Sequence, residues 1–261
     1  MPWADAMLGT MRRCGQAFMD LVLPDVCPGC QTDLPRSLGL CQACSQKLLA
    51  QVALSYCPRC GATIGPHASL RDDGCRACPT VLPRFSRVVR LGPYADPLRS
   101  MVRQLKYRRL PSRCPLGPML AQAVRTQLGD ELPLDLVMSV PMHWRRRLSR
   151  GLDHARLLAR MLAGPLDLPL GHELIRTRLT PEQVRLSRTR RRENVRGSFE
   201  LTDTRTVEGA RVLLVDDVTT TGATADEAAR TLLAGGASQV VLAVVAKAEP
   251  PVAYAYVPAQ P

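Results

Sequence analysis

Residues 212–224 read VLLVDDVTTTGAT, an apolar run followed by two adjacent carboxylates and a turn of hydroxyl residues and glycine. The apolar run predicts a buried strand, and the residues from Thr224 onward have the spacing of a helix. Backbone NH groups in a turn that opens a helix form a cup for one phosphate, helped by the positive end of the helix. The chain has neither a GxxxxGK[ST] loop nor a GxGxxG loop. The pattern therefore predicts a single-phosphate site rather than a triphosphate or dinucleotide site.

The two acids before the turn, Asp216 and Asp217, would repel a phosphate unless they are held away from it. Two carboxylates at the end of a buried strand rarely go unpaired without a function. They are suited to accept hydrogen bonds from a vicinal diol. Ribose 5-phosphate carries a diol and a phosphate at this separation, so the sequence predicts a sugar-phosphate ligand.

Strand and helix patterns alternate on both sides of this motif. Apolar runs predict strands over Arg87–Leu91, Leu134–Val140, Arg211–Val215 and Val240–Ala246, and helical spacing follows from Pro97, over Asp153–Leu162 and over Thr224–Leu233. Strands that are apolar throughout and alternate with helices predict an α/β domain, a parallel sheet covered on both faces. Ligands bind such sheets beyond the carboxyl ends of the strands, where Asp216 and Asp217 lie.

The first third of the chain is dominated by cysteine. Eight of the ten cysteines form four CxxC pairs, namely Cys27 with Cys30, Cys41 with Cys44, Cys57 with Cys60 and Cys75 with Cys78. This spacing predicts two structural zinc sites of four thiolates each, with no open position for a catalytic water. A redox or disulfide role is the alternative. Spacing alone leaves open whether neighbouring or alternate pairs share an ion.

The composition is basic, with 35 Lys and Arg against 23 Asp and Glu and a net charge of +12. Lys47, Lys106 and Lys247 are the only lysines, so nearly all the positive charge is guanidinium. Arginine favours two-pronged recognition of phosphate and carboxylate, although a GC-biased genome gives the same composition. Charged residues interrupt the apolar residues at the N-terminus, so we expect no signal peptide or membrane span and a cytoplasmic protein.

The motif at 212–224 resembles the signature loop of type I phosphoribosyltransferases, which bind 5-phosphoribosyl 1-pyrophosphate (PRPP). The wider chain resembles the ComF family of competence-associated proteins, which carry a zinc-binding cysteine module ahead of such a domain. The shared features, beside the CxxC pairs, are Leu105-Lys106-Tyr107, Ser139-Val140-Pro141, Arg150-Gly151 and the spaced residues Gln183, Leu186, Arg191, Asn194 and Phe199. We expect an N-terminal helical segment over 1–26, a double zinc ribbon over 27–83, a Rossmann-like phosphoribosyltransferase domain over 84–249 and a Pro-rich tail over 250–261.

The resemblance also implies residue roles. Asp216 and Asp217 would hold the ribose hydroxyls, and the 5-phosphate would lie on Thr219, Thr220, Thr221, Gly222, Ala223 and Thr224. The loop after Val140, with Arg145, Arg146, Arg147 and Arg150, would contact the pyrophosphate together with Mg²⁺. Lys106 and Arg191 join the acid pair as candidate catalytic residues, Arg191 within a mobile cover over Arg176–Phe199. One departure is that Leu152, Asp153 and His154 stand where the family has Phe-Asn-Gln.

Two functions follow from these features. The first is an enzyme that transfers phosphoribose to a nitrogenous acceptor and acts in DNA uptake. The second is a non-catalytic protein that binds single-stranded nucleic acid and uses PRPP as a regulatory ligand, with competence or recombination proteins as possible partners of either. Residues 141–200 hold fourteen arginines and six acids, which favours the second. Aromatic residues make up only 4% of the chain, which is few for a base-stacking surface.

Overall fold

The computed structural model describes residues 26–34, 39–65, 70, 74–106, 114–129, 133–145, 148, 152–179 and 188–249. In chain order the helices and strands are α1 Gln42–Val52, β1 Arg87–Pro93, α2 Leu98–Lys106, α3 Leu116–Leu128, β2 Leu136–Ser139, α4 His154–Leu166, β3 Leu174–Arg176, α5 Arg188–Val195, β4 Phe199–Leu201, β5 Arg211–Thr219, α6 Ala223–Ala234 and β6 Gln239–Lys247. No helix within these ranges is both long and apolar enough to cross a bilayer.

Four parallel strands form the central sheet in the order β1-β6-β5-β2. Strand β6 is buried along almost its whole length because it lies inside the sheet with helices on both faces. Leu213 and Val215 pack on the face covered by α2, α3 and α4, whereas Leu214 packs on the face covered by α6. The predicted α/β parallel sheet is therefore confirmed.

Strand β5 is longer than its apolar run predicts. The sequence indicated a strand ending at Val215, but the ladder to β6 continues through Val218↔Ala246 and Thr219↔Lys247. Because β6 supplies hydrogen-bond partners that far, the acid pair is fixed within the last residues of a strand rather than in a loop. The strand leads directly into the threonine turn.

The cysteine-rich residues pack on the sheet rather than standing apart from it. Leu48 of α1 is 1% exposed and lies in the same buried cluster as Val89 and Leu98. At a second contact, the buried amide of Gln104 in α2 donates to the carbonyl of Pro28. A small module with little apolar content thus borrows the core of its neighbour, and the domain boundaries expected from sequence stay predictions.

Several elements have no counterpart in the sequence predictions. These are α1, which begins within the Cys41–Cys44 pair, α3, α5, and the antiparallel pair β3 and β4, which lies outside the main sheet. Helix α3 places Leu116, Leu120 and Val124 in the core at helical spacing, a signal that was present in the sequence. Strands β3 and β4, by contrast, have only three residues each, and 22 residues separate Arg176 from Phe199. Strands this short show no recognisable alternation in the sequence, and their pairing cannot be read from adjacent residues.

Candidate functional site

Two carboxylates lie at the edge of the sheet where the parallel strands end. Asp216 Oδ1 accepts a hydrogen bond from the NH of Asp217 (2.8 Å), and Asp217 Oδ1 accepts one from the NH of Val218 (2.7 Å). Lys106, at the end of α2, places Nζ 2.9 Å from Asp217 Oδ2. The side chains of this ion pair are 33% and 13% exposed, so the pair lies at an accessible edge and not sealed in the core.

The two acids differ in their electrostatics. Burial and the charge of Asp217 raise the pKa of Asp216 well above its usual range. Burial alone would lower the pKa of Lys106, but the charge and hydrogen bond of Asp217 outweigh it and raise that pKa. Lys106 therefore stays a cation and neutralises Asp217. Burial disfavours the charged form of Asp216, and a ligand that donates a hydrogen bond to this carboxylate offsets that cost.

A tight turn follows the acids and opens helix α6. Gly222 has φ +78°, and a Cβ there would lie 3.3 Å from Phe85 Cζ, so the turn favours glycine for conformation and for space. Thr219, Thr220 and Thr221 precede it, and Ala223 and Thr224 form the start of α6. The first NH groups of a helix have no partner within the helix. All six residues predicted to hold a phosphate are thus consecutive, from the last residue of β5 through the turn to the start of α6.

The turn is fixed from the neighbouring strand. The NH of Ala248 donates to the carbonyl of Thr219 (2.8 Å), and Lys247 Nζ donates to the carbonyl of Thr220. Sequence reasoning missed Lys247, although a lysine that ends a wholly apolar strand is a detectable signal. Only the register of β6 beside β5 shows what it contacts.

An acid in the first turn of α6 would oppose a bound phosphate. Asp226 is held elsewhere, because its Oδ1 accepts from the NH of Arg84 (2.7 Å) and its Oδ2 lies 3.5 Å from the Arg84 guanidinium. The charge of Asp226 is therefore offset by Arg84, and the positive end of the helix favours an anion at the turn.

The loop after β2 carries the residues predicted to contact pyrophosphate. The guanidinium of Arg145 lies 5.2 Å from the ring centre of Trp144, and both side chains are exposed. Arg146, Arg147, Arg150 and Gly151 lie outside the described residues.

The departure from the family pattern has a structural explanation. Asp153 is the N-cap of α4, where its Oδ1 accepts from the NH of Arg156 (3.1 Å) and its Oδ2 from the NH of Met142 (3.4 Å). An aspartate caps a helix as well as the asparagine it replaces. His154 is 4% exposed and packs inside.

The described part of the predicted cover is anchored at its end. Val195 and Phe199 are buried, and the carboxylate of Glu227 in α6 accepts from the NH of Gly197 (2.7 Å) while it pairs with Arg230. Gln183 and Leu186 lie outside the described residues, as does the side chain of Arg191. The role of Arg191 stays a prediction.

The eight cysteines form two groups of four. Cys27, Cys30, Cys41 and Cys44 make one cluster and Cys57, Cys60, Cys75 and Cys78 the other, with the sulfur atoms of each within 4.8 Å of one another. The Sγ–Sγ distance is 3.6 Å for Cys30–Cys41 and 3.7 Å for Cys60–Cys75. A tetrahedral zinc ion with Zn–S bonds of about 2.3 Å requires sulfurs roughly 3.8 Å apart. The thiols fit zinc, and neighbouring pairs share each site, which settles the pairing that spacing left open.

Comparison with known proteins finds two matching domains in this chain. Residues 18–80 match the double zinc ribbon domain, and residues 148–255 match the phosphoribosyl transferase domain. The DNA utilization protein YhgH of Salmonella typhi is 36% identical over 226 residues, which cover 84% of this chain and 96% of the relative. Competence protein F of Haemophilus influenzae is 30% identical over 80% of this chain and 91% of its own. Competence protein ComFC of Bacillus subtilis is 30% identical over 76% of this chain and 79% of its own length.

Proposed function

The chain belongs to the ComF family, in which a double zinc ribbon precedes a phosphoribosyltransferase domain, and from this we propose that its site binds PRPP. The observation that carries the proposal is the junction of β5 and α6, where two carboxylates directly precede a threonine-lined turn. In the proposed complex the turn from Thr219 to Thr224 holds the 5-phosphate. Asp216 and Asp217 accept hydrogen bonds from the ribose hydroxyls.

The acid pair also suits a divalent cation. Mg²⁺ prefers carboxylate and phosphate oxygens, and Asp216 and Asp217 supply two adjacent carboxylates at the end of β5. The ion, when bound with PRPP, supplies positive charge to the pyrophosphate. The ion pair with Lys106 fixes the position of the Asp217 carboxylate, which accepts from the sugar in the proposed complex.

We propose that the bound sugar is transferred to a nitrogenous acceptor. The nitrogen lone pair forms the bond to C1 of the ribose, the bond from C1 to the pyrophosphate oxygen breaks, and pyrophosphate leaves with that electron pair. The proton lost by the nitrogen passes to the departing pyrophosphate. Arg145, Arg150 and Arg191 are proposed to neutralise the charge that develops on this leaving group, and closure of the cover segment excludes water.

Isothermal titration tests PRPP binding. Titrating PRPP with Mg²⁺ into the wild type and into the double variant Asp216→Asn, Asp217→Asn should give heat of binding only for the wild type. Asp203→Asn, in an exposed pair with Arg205, is the matched control and should bind as the wild type does. Equal heats from the wild type and the double variant contradict the proposal. Pyrophosphate release that depends on an added acceptor tests turnover.

Single-stranded DNA binding is the second candidate, and one relative is named a DNA utilization protein and another a competence protein. The observation that favours it is the exposed Trp144, which is 53% exposed and lies beside the Arg145 guanidinium on a loop rich in arginine. Stacking of a base on an aromatic ring is worth about 1–3 kcal/mol.

Fluorescence anisotropy with a labelled single strand separates the two candidates. Binding that weakens with salt, persists without PRPP and falls in Trp144→Ala supports the second. If no binding occurs at 50 mM salt, DNA contact by this chain is excluded.

A further inference from the structure

A cavity of about 270 Å³ lies beside the candidate site, at the carboxyl end of β2. Its wall includes Met138, Met142, Trp144, Arg156, Leu174 and Arg176, contributed by β2, the following loop, α4 and β3. None of the residues assigned to the sugar or the 5-phosphate lines it. The cavity is therefore separate from the positions of the sugar and the 5-phosphate, and it borders the loop after β2 that is proposed to contact the pyrophosphate.

The register of the sheet fixes the distance between this cavity and the acid pair. Ser139, which also lines the cavity, is paired with Val215, the residue before Asp216. The NH of Val140 donates to the carbonyl of Val215 (2.8 Å). Neighbouring strands are about 4.8 Å apart, so a molecule in the cavity lies one strand away from a sugar held by Asp216. An acceptor for that sugar has to lie at such a position.

The polar groups of the cavity select for negative charge. Arg156 and Arg176 both line it, and among the described residues Arg156 Nε is shielded from solvent with no hydrogen-bond partner. A shielded donor of this kind indicates a ligand that supplies the acceptor. The guanidinium of Arg176 lies 5.4 Å from the centre of the Phe199 ring, which fixes its position at the wall. The carboxylate of Asp153 also lines the cavity, but its two oxygens already accept backbone NH groups.

The remaining wall selects for a flat, apolar body of limited size. Met138, Met142 and Leu174 supply apolar surface, and the indole of Trp144 supplies a flat one. The volume lies just below the range of about 300–1,000 Å³ usual for small-molecule sites. It suits one ring with its substituents rather than a whole nucleotide. Guanidinium groups bind carboxylates in a planar, two-pronged arrangement that a ring carboxylate matches.

We propose that this cavity binds the acceptor of the transfer and that the acceptor is a flat, nitrogen-containing ring bearing a carboxylate. The inference rests on the proposed function, because the ring nitrogen forms the new bond to C1 of the PRPP ribose as pyrophosphate leaves. The carboxylate lies on Arg156 and Arg176, and the ring packs against Trp144 and the methionines.

Ligand-observed NMR with paired probes tests the proposal. Nicotinate and orotate, which are ring carboxylates, are compared with the uncharged nicotinamide and uracil, each with and without PRPP and Mg²⁺. The wild type should bind at least one acid about tenfold or more tightly than its uncharged counterpart. Arg156→Gln should weaken binding of that acid by about ten- to a hundredfold, since a charged hydrogen bond is lost. Arg160→Gln, one turn further along α4 at an exposed position, is the matched control and should bind as the wild type does.

The titration with PRPP separates this proposal from the one it rests on. If Arg156→Gln binds PRPP within about twofold of the wild type and loses only the acid, both proposals are supported. If the wild type binds PRPP but no acid more tightly than its uncharged counterpart, the acceptor class is wrong and PRPP binding stands. If the acids bind equally well to Arg156→Gln, the cavity assignment is wrong. If PRPP gives no heat with the wild type, the proposed function fails. Acid binding that depends on Arg156 would then show only that the cavity binds carboxylates.

Discussion

Asp216 and Asp217 are neighbours of the same type with different surroundings. Lys106 compensates the charge of Asp217 at 2.9 Å, whereas burial and the nearby charge of Asp217 raise the pKa of Asp216. The folded chain thus holds a carboxylate that costs stability when ionised. Such a cost is typical of a group placed for a ligand rather than for the fold.

Replacing Asp216 by asparagine is therefore expected to stabilise the protein. The pKa of Asp216 is higher in the folded chain than in the unfolded chain, so the folded state binds the proton more tightly. Its contribution to stability consequently falls as pH rises from about 4, the usual value for aspartate, toward the raised value. Asp216→Asn removes this loss, and its melting temperature should exceed that of the wild type by an amount that grows with pH. Thermal unfolding between pH 4 and pH 8 measures the difference.

Asp203→Asn is the control for this prediction. The Arg205 side chain lowers the pKa of Asp203, so ionisation of Asp203 favours the folded state. The melting temperature of Asp203→Asn should therefore not rise relative to the wild type as pH increases. A stabilisation by Asp216→Asn that is the same at every pH would show that ionisation of Asp216 is not the cause.

At the scale of helices and strands, three features fix the junction of β5 and α6. The strand ladder, the αL conformation of Gly222 and the contact from Lys247 together fix where the helix begins. Because the acid pair and the turn are adjacent in the chain, an error in this junction displaces both halves of the site.

Substituting Gly222 should show this coupling. Gly222→Ala forces an alanine to φ +78° with its Cβ 3.3 Å from Phe85, at a cost of about 1–3 kcal/mol in stability. PRPP affinity should fall as the turn shifts. Gly164→Ala, in helix α4 with no atom within 4 Å of the added Cβ, should instead stabilise by about 0.5–1 kcal/mol and leave PRPP binding unchanged. Chemical denaturation and titration of both variants check the contrast, which fails if the two glycines respond alike.

The N-terminus of α4 gives a second prediction for a single element. Asp153→Ala removes the side-chain acceptor for the NH groups of Arg156 and Met142 and should cost about 0.5–2 kcal/mol. Asp153→Asn keeps an acceptor oxygen and restores the residue of the family pattern, so it should stay within about 0.5 kcal/mol of the wild type. Urea denaturation measures both, and an equal loss in the two variants would mean that the charge, not the cap, is what α4 requires.

The chain as a whole connects its zinc sites to the candidate PRPP site through a few contacts. The first cluster contacts α2 through Gln104 and Pro28, and α2 carries Lys106. Beside the second cluster, Thr63 accepts from Arg90 of β1 (2.7 Å) and donates to Glu249, two residues after Lys247. Both ribbons therefore support elements that hold the acid pair or the turn.

Loss of either zinc ion should consequently weaken PRPP binding. Cys41→Ser and Cys75→Ser should each lower the zinc content from two ions per chain to about one, as measured by atomic absorption. Cys114 lies outside both clusters, so Cys114→Ala should keep two zinc ions per chain. PRPP titration of the three variants tests the connection. Full PRPP affinity in a chain that has lost a zinc ion contradicts it.

The sequence alone was enough to predict the parallel α/β sheet, the two zinc sites and the phosphate turn, because each rests on local spacing of residue types. A continuous apolar run identifies β6, two intervening residues define a CxxC ligand pair, and the acids and threonines of the turn lie within six consecutive residues. Only the tertiary structure decided which cysteine pairs share an ion, that Lys106 pairs with Asp217 and that Lys247 holds the turn. It also brought Arg156 and Arg176, twenty residues apart, to one cavity. These contacts join distant positions, and their geometry depends on strand order, register and helix packing, which no short window of sequence contains.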